Sequence, residues 1–154
     1  MWIYYSISLL IVLLGADQGL KAMVATRVAT FSSRSLIPGI LSITNVKNTG
    51  AAWSLLSGQR GFFVVIGVAA LAIAGYYLWK CRFDFWYETA ITLFAAGALG
   101  NLISRVVYGS VVDMFQTDFM NFPVFNLADT ELTVGVALLM LLIGSNRELR
   151  NRTK

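Results

Sequence analysis

The sequence predicts an all-α membrane protein: four transmembrane helices, a small β-sheet outside the bilayer and a helical run in the first loop. Three observations predict it. Hydrophobic residues make up 57% of the 154 and charged residues only 13%, against about a quarter charged in soluble chains, and the mean hydropathy is +0.69. Four apolar stretches, roughly Trp2 to Leu20, Gly61 to Trp79, Phe85 to Ile103 and Leu127 to Ser145, each approach the ~20 residues that carry a helix across a bilayer. Two short β-prone pieces lie between them in polar surroundings.

In the first stretch nothing basic precedes the apolar run, and Asp17 interrupts the region where a small-residue cleavage site would stand. It is therefore read as a span rather than a removable leader. The long first loop, Lys21 to Arg60, opens with a helix-compatible run from Lys21 to Phe31. It then passes a Ser-rich turn (Ser32, Ser33, Ser35) before Pro38-Gly39 and becomes strand-like from Leu41, with Ile43, Thr44 and Val46 among polar residues. The second span is free of charge, and the others carry acids only near their ends (Asp17, Glu88, Asp129, Glu131). Val111-Val112 before Asp113 is the second β-prone piece. The tail Asn146 to Lys154 reads as a solvated, weakly ordered end, and the length leaves room for a single domain.

Four spans put both termini on one side. Lys80, Arg82, Arg147, Arg150, Arg152 and Lys154 fall there, and Lys21, Arg27, Arg34, Lys47, Arg60 and Arg105 fall opposite, six against six. Density breaks the tie, because the first six crowd a short loop and tail while the second six spread over long segments, where the positive-inside rule is weak. Both termini are expected to be cytoplasmic.

Composition also removes chemistries. The single Cys81 excludes an internal disulfide, and a chain without histidine lacks the usual zinc sites and the Ser-His or Cys-His pairs. Asp, Glu, Ser, Lys or Tyr must do the work, and no metal or cofactor is expected. The net charge of +4 does not imply nucleic acid, since the basic residues flank apolar segments or scatter in a loop.

The topology places the end of span one, the start of span two, the end of span three and the start of span four on one membrane face. Nearly every unusual polar group is there: Asp17 and Lys21, Asn48, Asn101 and Arg105, then Asp113, Asn126 and Asp129. Carboxylates so near lipid must be paired, protonated or catalytic, because an unpaired charge in hydrocarbon costs several kcal/mol. Asp113 and Asp129 are therefore the candidate catalytic pair. Taken singly, each constellation has a plainer reading. Asp17–Lys21 and Asn101–Arg105, at i,i+4, are helix-end anchors, Asn126–Asp129 is an N-terminal cap, and Asn48 to Ser54 is a turn back into the membrane. Glu131, about 200° around a helix from Asp129, should point away from the site. Two rival chemistries are a Ser-Lys dyad using Ser54 with Lys47 or Lys21 and a small ion or proton transporter. The transporter reading lacks ionisable residues at mid-span.

Five segments in order resemble lipoprotein signal peptidase (signal peptidase II) across nearly the whole chain. They are Asp17-Gln18-Gly19-Leu20-Lys21, Asn48-Thr49-Gly50-Ala51-Ala52, Gly97-Ala98-Leu99-Gly100-Asn101 with Arg105, Gly109-Ser110-Val111-Val112-Asp113, and Phe122-Pro123-Val124-Phe125-Asn126-Leu127-Ala128-Asp129. The resemblance implies an aspartyl endopeptidase of the bacterial cytoplasmic membrane with four transmembrane helices and an extracytoplasmic β-sheet cradle; a monomer is expected. Such an enzyme, in contact with membrane lipid, removes the signal peptide of a lipid-modified prolipoprotein just before its diacylglyceryl cysteine. It implies Asp113 and Asp129 as catalytic dyad. Asn48, Gly50, Ala51, Gly97, Asn101, Arg105, Asn126 and Ala128 would line or brace the groove, and Asp17 with Lys21 would hold its architecture. The chain departs from the family pattern at Ser104, where an Asp is frequent, and at Trp53, where a Phe is common.

Overall fold

The computed structural model describes residues 2–81 and 84–152, with backbone alone for Trp2 and residues 146–152. Arg82 and Lys154, and the side chains of Arg147, Arg150 and Arg152, used above to orient the chain, lie outside the described residues. Helix α1 spans Trp2–Arg27, strands β1 Ser33–Ile37 and β2 Leu41–Asn48 follow, and a 3-10 turn at Ala52–Ser54 leads to α2 at Arg60–Lys80. Then come α3 (Phe85–Tyr108), β3 (Val111–Thr117) and α4 (Leu127–Arg152). All four helices are long and apolar enough to cross a membrane. This is a multi-pass membrane protein.

Both α1 and α3 outrun the apolar stretches that announced them. The run expected to open the first loop is helical to Arg27, continuous with α1, and α4 continues through the expected polar tail to Arg152. Asp84 starts α3 by accepting from the backbone N–H groups of Trp86 (3.1 Å) and Tyr87 (3.2 Å), while Gly109 stops it in the left-handed region at φ 75°. The Ser-rich segment is a strand rather than a turn. Ser33, Arg34 and Ser35 pair with Thr44, Ile43 and Ser42, and the turn itself falls at Pro38-Gly39, where Gly39 takes φ 74°. Small polar residues suit such an edge strand, exposed along its whole length, where packing asks little of the side chains.

Helix α3 is the hub. It packs against each of the other three helices, and 56% of its apolar window is buried against 6% for α2. Association in lipid relies on close packing rather than on water release, and α3 accordingly turns small residues (Ala90, Ala95, Ala96, Ala98) inward. The tightest contact is with α4: a Cβ on Gly97 would collide with the Ala128 carbonyl and Leu132, and one on Gly135 with the backbone of Ala90 and Phe94. At one end α1 and α3 are tied by Ser6 Oγ donating to Glu88 (2.6 Å) and by a Tyr5–Thr89 hydroxyl contact (2.8 Å). At the other end sits the sheet, antiparallel in the order β1-β2-β3. Beyond it, Phe125 pairs with Phe115 and returns the chain to α4.

Gly97→Ala is expected to lower stability by about 1–3 kcal/mol, the cost of overpacking. Gly15→Ala, where nothing lies within 4 Å of the new Cβ, should be neutral or slightly stabilising. Thermal unfolding in detergent measures both.

Candidate active site

Three elements bring the polar residues together. In the β2–β3 ladder Asp113 stands opposite Val46 and Asn48 opposite Val111. Asn48 and Val46 are two apart and share a face, so Asn48 is the diagonal neighbour of Asp113, and its Nδ2 donates to Asp113 Oδ2 at 2.9 Å. The Gly50 N–H donates to Asn48 Oδ1 (2.8 Å), which fixes the amide with its N–H₂ toward the carboxylate.

The first turn of α4 supplies the second carboxylate through a reciprocal capping box. The Asp129 N–H donates to Asn126 Oδ1 (2.9 Å), and the Asn126 N–H donates to Asp129 Oδ2 (3.1 Å). With its oxygen so occupied, Asn126 points its Nδ2 at Asp113 Oδ1 (2.7 Å). The cap and the site are thus one structure, and the two sequence readings of this pair do not compete. Asn101 on α3 completes the set by donating to Asp129 Oδ1 (2.8 Å). Every oxygen of Asp113 and Asp129 therefore accepts one hydrogen bond, three of the four from asparagine amides.

Asp17, fully buried on α1, reaches across to α4. Its Oδ1 accepts from the Ala128 N–H (3.0 Å), and its Oδ2 accepts from Lys21 (2.7 Å) and Gln18 (2.9 Å). Gly100 permits this approach, since a Cβ there would lie against Asp17 Oδ2. Lys21 also donates to Asn101 Oδ1 (3.1 Å). Arg105 donates to the Gly50 carbonyl (2.9 Å) and lies 4.8 Å from the Phe63 ring centroid, holding the turn after β2 against α3.

These groups surround a cavity of about 390 Å³ lined by Asn48, Gly50, Ala51, Asn101, Arg105, Asp113, Asn126 and Asp129 among the expected residues. Asp17, Lys21, Gly97 and Ala128 stand behind the wall and do not line it. The sequence reading missed Thr130, Thr133 and Val134 along α4, and it gave no site role to Phe122 through Phe125, which also line the cavity and which it quoted only within a matching segment. It also missed Gln18, which links Asp17 to the Gly100 carbonyl (3.0 Å), and Asn45, which donates to the Val28 carbonyl (2.7 Å) and closes the end of α1. A position facing the cavity through helical spacing from Asp129 (Thr133, i+4) was the one available signal. Glu131 does not line the cavity, as expected, yet it is turned inward and buried with neither oxygen hydrogen-bonded. Of the two departures, Ser104 bonds the Gly100 carbonyl (3.0 Å), and Trp53 is exposed at φ 52° in the turn after β2.

Burial pushes the Asp113 carboxyl up to about 6 and the Asp129 charge adds to it, while the hydrogen bonds from Asn48 and Asn126 and the charge of Lys21 oppose the rise. For the Ser-Lys alternative, Lys21 is committed to Asp17 and Asn101, and both Ser54 and Lys47 are exposed.

Four helices with a cavity that holds two carboxylates beside a small sheet make the architecture of a membrane enzyme. A solved bacterial membrane enzyme, 38% identical, superposes with a TM-score of 0.91 over 94% of this chain and 90% of its own. The profile of "Signal peptidase (SPase) II" matches residues 9–144, and the chain belongs to that peptidase family. It is 49% identical to a protein named lipoprotein signal peptidase in Lactiplantibacillus plantarum, over 96% of this chain and 97% of that one. It is 45% identical to the protein of the same name in Lactococcus lactis subsp. cremoris, over 94% and 97%.

Asp17→Ala, which removes the ion-pair partner of the buried Lys21 and leaves the Ala128 N–H without its acceptor, should cost about 3–5 kcal/mol. Asp17→Asn keeps an acceptor for Ala128 and should cost less. The order of the two melting temperatures in detergent decides the point.

Proposed function

We propose that the protein is an aspartyl endopeptidase that removes the signal peptide from diacylglyceryl-modified prolipoproteins, cutting just before the lipidated cysteine, with Asp113 and Asp129 as its dyad. The observation that carries the reading is Asn126, which hydrogen-bonds both carboxylates at once (2.7 Å to Asp113, 3.1 Å from its own N–H to Asp129) and so holds them as a pair in one cavity.

Two carboxylates so held do not both ionise freely and share one proton. Asp113, raised by burial and by its neighbour's charge, is the member that keeps it. The ionised Asp129 then takes a proton from a water, whose oxygen bonds to the scissile carbonyl carbon as Asp113 gives its proton to the carbonyl oxygen. The resulting gem-diol collapses: a hydroxyl proton returns to one carboxylate, the other carboxyl protonates the leaving nitrogen, and the C–N bond breaks. The products are a carboxylic acid on the signal peptide and a free amine on the lipidated cysteine. Arg105 and the Gly50 turn shape the wall against which the peptide lies.

The expected setting is the bacterial cytoplasmic membrane, with cytoplasmic termini, the site near the extracytoplasmic face and a monomer working on substrate delivered sideways through lipid. Acyl chains that pass from lipid to protein contribute almost nothing by burial, whereas chains leaving water would contribute about 0.8 kcal/mol per CH₂. Recognition of the lipid therefore falls on shape and on the ester region near its headgroup.

Mass spectrometry of a diacylglyceryl-modified precursor should show cleavage before the lipidated cysteine by the wild type and by Ser54→Ala, and none by Asp113→Asn or Asp129→Asn with folding retained. The unlipidated precursor should be cut poorly. Loss of cleavage in the serine variant alone would falsify the aspartyl mechanism.

The pH dependence follows with a definite sign. The working form carries one proton on the pair, so kcat/KM should fall as pH rises through about 6, where Asp113 loses it. Asn48 favours the ionised form, so Asn48→Ala should move that limb to higher pH. A limb that stays in place, or moves down, removes Asn48 from the titration of the dyad.

A further inference from the structure

Lys21 lines no wall of the cavity, yet it is buried to 5% exposure and divides its ammonium between two acceptors. They are Asp17 Oδ2 at 2.7 Å and Asn101 Oδ1 at 3.1 Å. An asparagine amide can face either way, and only a fixed donor on its oxygen decides which. Asn48 is fixed by the Gly50 N–H and Asn126 by the Asp129 N–H, both from the backbone of the site itself. For Asn101 the fixing donor is the side chain of Lys21, on a different helix. With Oδ1 so held, Asn101 can present only Nδ2 to Asp129, 2.8 Å away.

Building on the aspartyl reading, we propose that Lys21 is a positioning residue for the dyad: through Asn101 it sets the hydrogen bond to Asp129, and its buried charge biases the proton that Asp113 and Asp129 share. The charged and titratable groups around Lys21 are known element by element. Asp17 neutralises it from α1, Glu131 faces it from α4 with no hydrogen bond of its own, Asp129 is reached through Asn101, and Asp113 on β3 feels its field. Among the described residues, Arg105 on α3 is the other cation whose charge acts on the dyad, and it contacts Gly50 and Asn101 through backbone carbonyls. Among the described residues, Lys21 alone joins a buried cation to a dyad carboxylate by way of a single side chain.

The test measures kcat, KM and the pH profile on the lipidated precursor for Lys21→Met, Asn101→Ala and the double variant. Lys21→Met is expected to lower kcat about 10- to 100-fold through misplacement of Asp129 with KM little changed. It should also move the alkaline limb upward, because losing a nearby positive charge strengthens proton binding by a carboxylate. If Lys21 acts through Asn101, the double variant loses no more in kcat than the worse single variant. Should Lys21→Met fail to fold with Asp17 left unpaired, the neutral pair Asp17→Asn with Lys21→Met removes the lone buried charge and still unpins Asn101. It is expected to fold and to show the same loss of kcat. Wild-type kcat in either Lys21 background, an unmoved limb in Lys21→Met, or full additivity with Asn101→Ala overturns the inference. If instead Asp113→Asn or Asp129→Asn still cleaves, it is the aspartyl reading that falls.

Discussion

The constraint on which the rest depends is the burial of the first turn of α4. A helix that starts inside the protein exposes N–H groups that its own turns cannot satisfy, and in apolar surroundings each orphan costs on the order of 1–3 kcal/mol. Here the donors are met from two directions: Asn126 and Asp129 cap each other, and Asp17 arrives from α1 to take the Ala128 N–H. Satisfying that helix end fixes where α1, α3 and α4 stand relative to one another. It also delivers Asp129 to the cavity with its carboxylate already oriented.

Asparagine is the residue by which this end is organised, and its chemistry explains why. A neutral amide carries a donor and an acceptor a fixed distance apart, so it can grip the backbone with one end and a carboxylate with the other without adding charge. Asn48 and Asn126 both do this, and Asn101 does the same with the Lys21 ammonium in place of the backbone. Lysine or arginine in the same places would neutralise the carboxylates, whereas the amides stabilise them and leave the pair able to hold a proton. The cations that are present act from the back, Lys21 behind Asn101 and Arg105 against the Gly50 carbonyl.

The close approach behind this network relies on residues with no side chain to spare. Gly97 lets the Ala128 carbonyl come against α3, and Gly100 lets Asp17 do the same. At the opposite end of the bundle α1 and α3 are tied by the Ser6–Glu88 and Tyr5–Thr89 hydrogen bonds and by the Tyr5–Phe85 ring contact.

Much of this could be read from the residues alone. Hydropathy gave four spans because lipid demands continuous apolar length whatever the tertiary partners. Topology gathered Asp17, Lys21, Asn48, Asn101, Arg105, Asp113, Asn126 and Asp129 at one rim for the same reason. The Ser-rich strand β1 was not legible, because an exposed edge strand takes its hydrogen bonds from a neighbour and leaves no pattern in its own side chains. Nor could spacing reveal that Gln18 bonds the Gly100 carbonyl, 82 residues away, or that Asn45 bonds the Val28 carbonyl, 17 away. That Asp17 caps α4, that Lys21 pins Asn101 and that Glu131 turns inward were decided by the packing of α1 and α4 on α3. Sequence determines which residues the membrane drives to a given end. Only the folded chain decides which donor meets which acceptor there, because hydrogen bonds are directional and a shift of an ångström reassigns them.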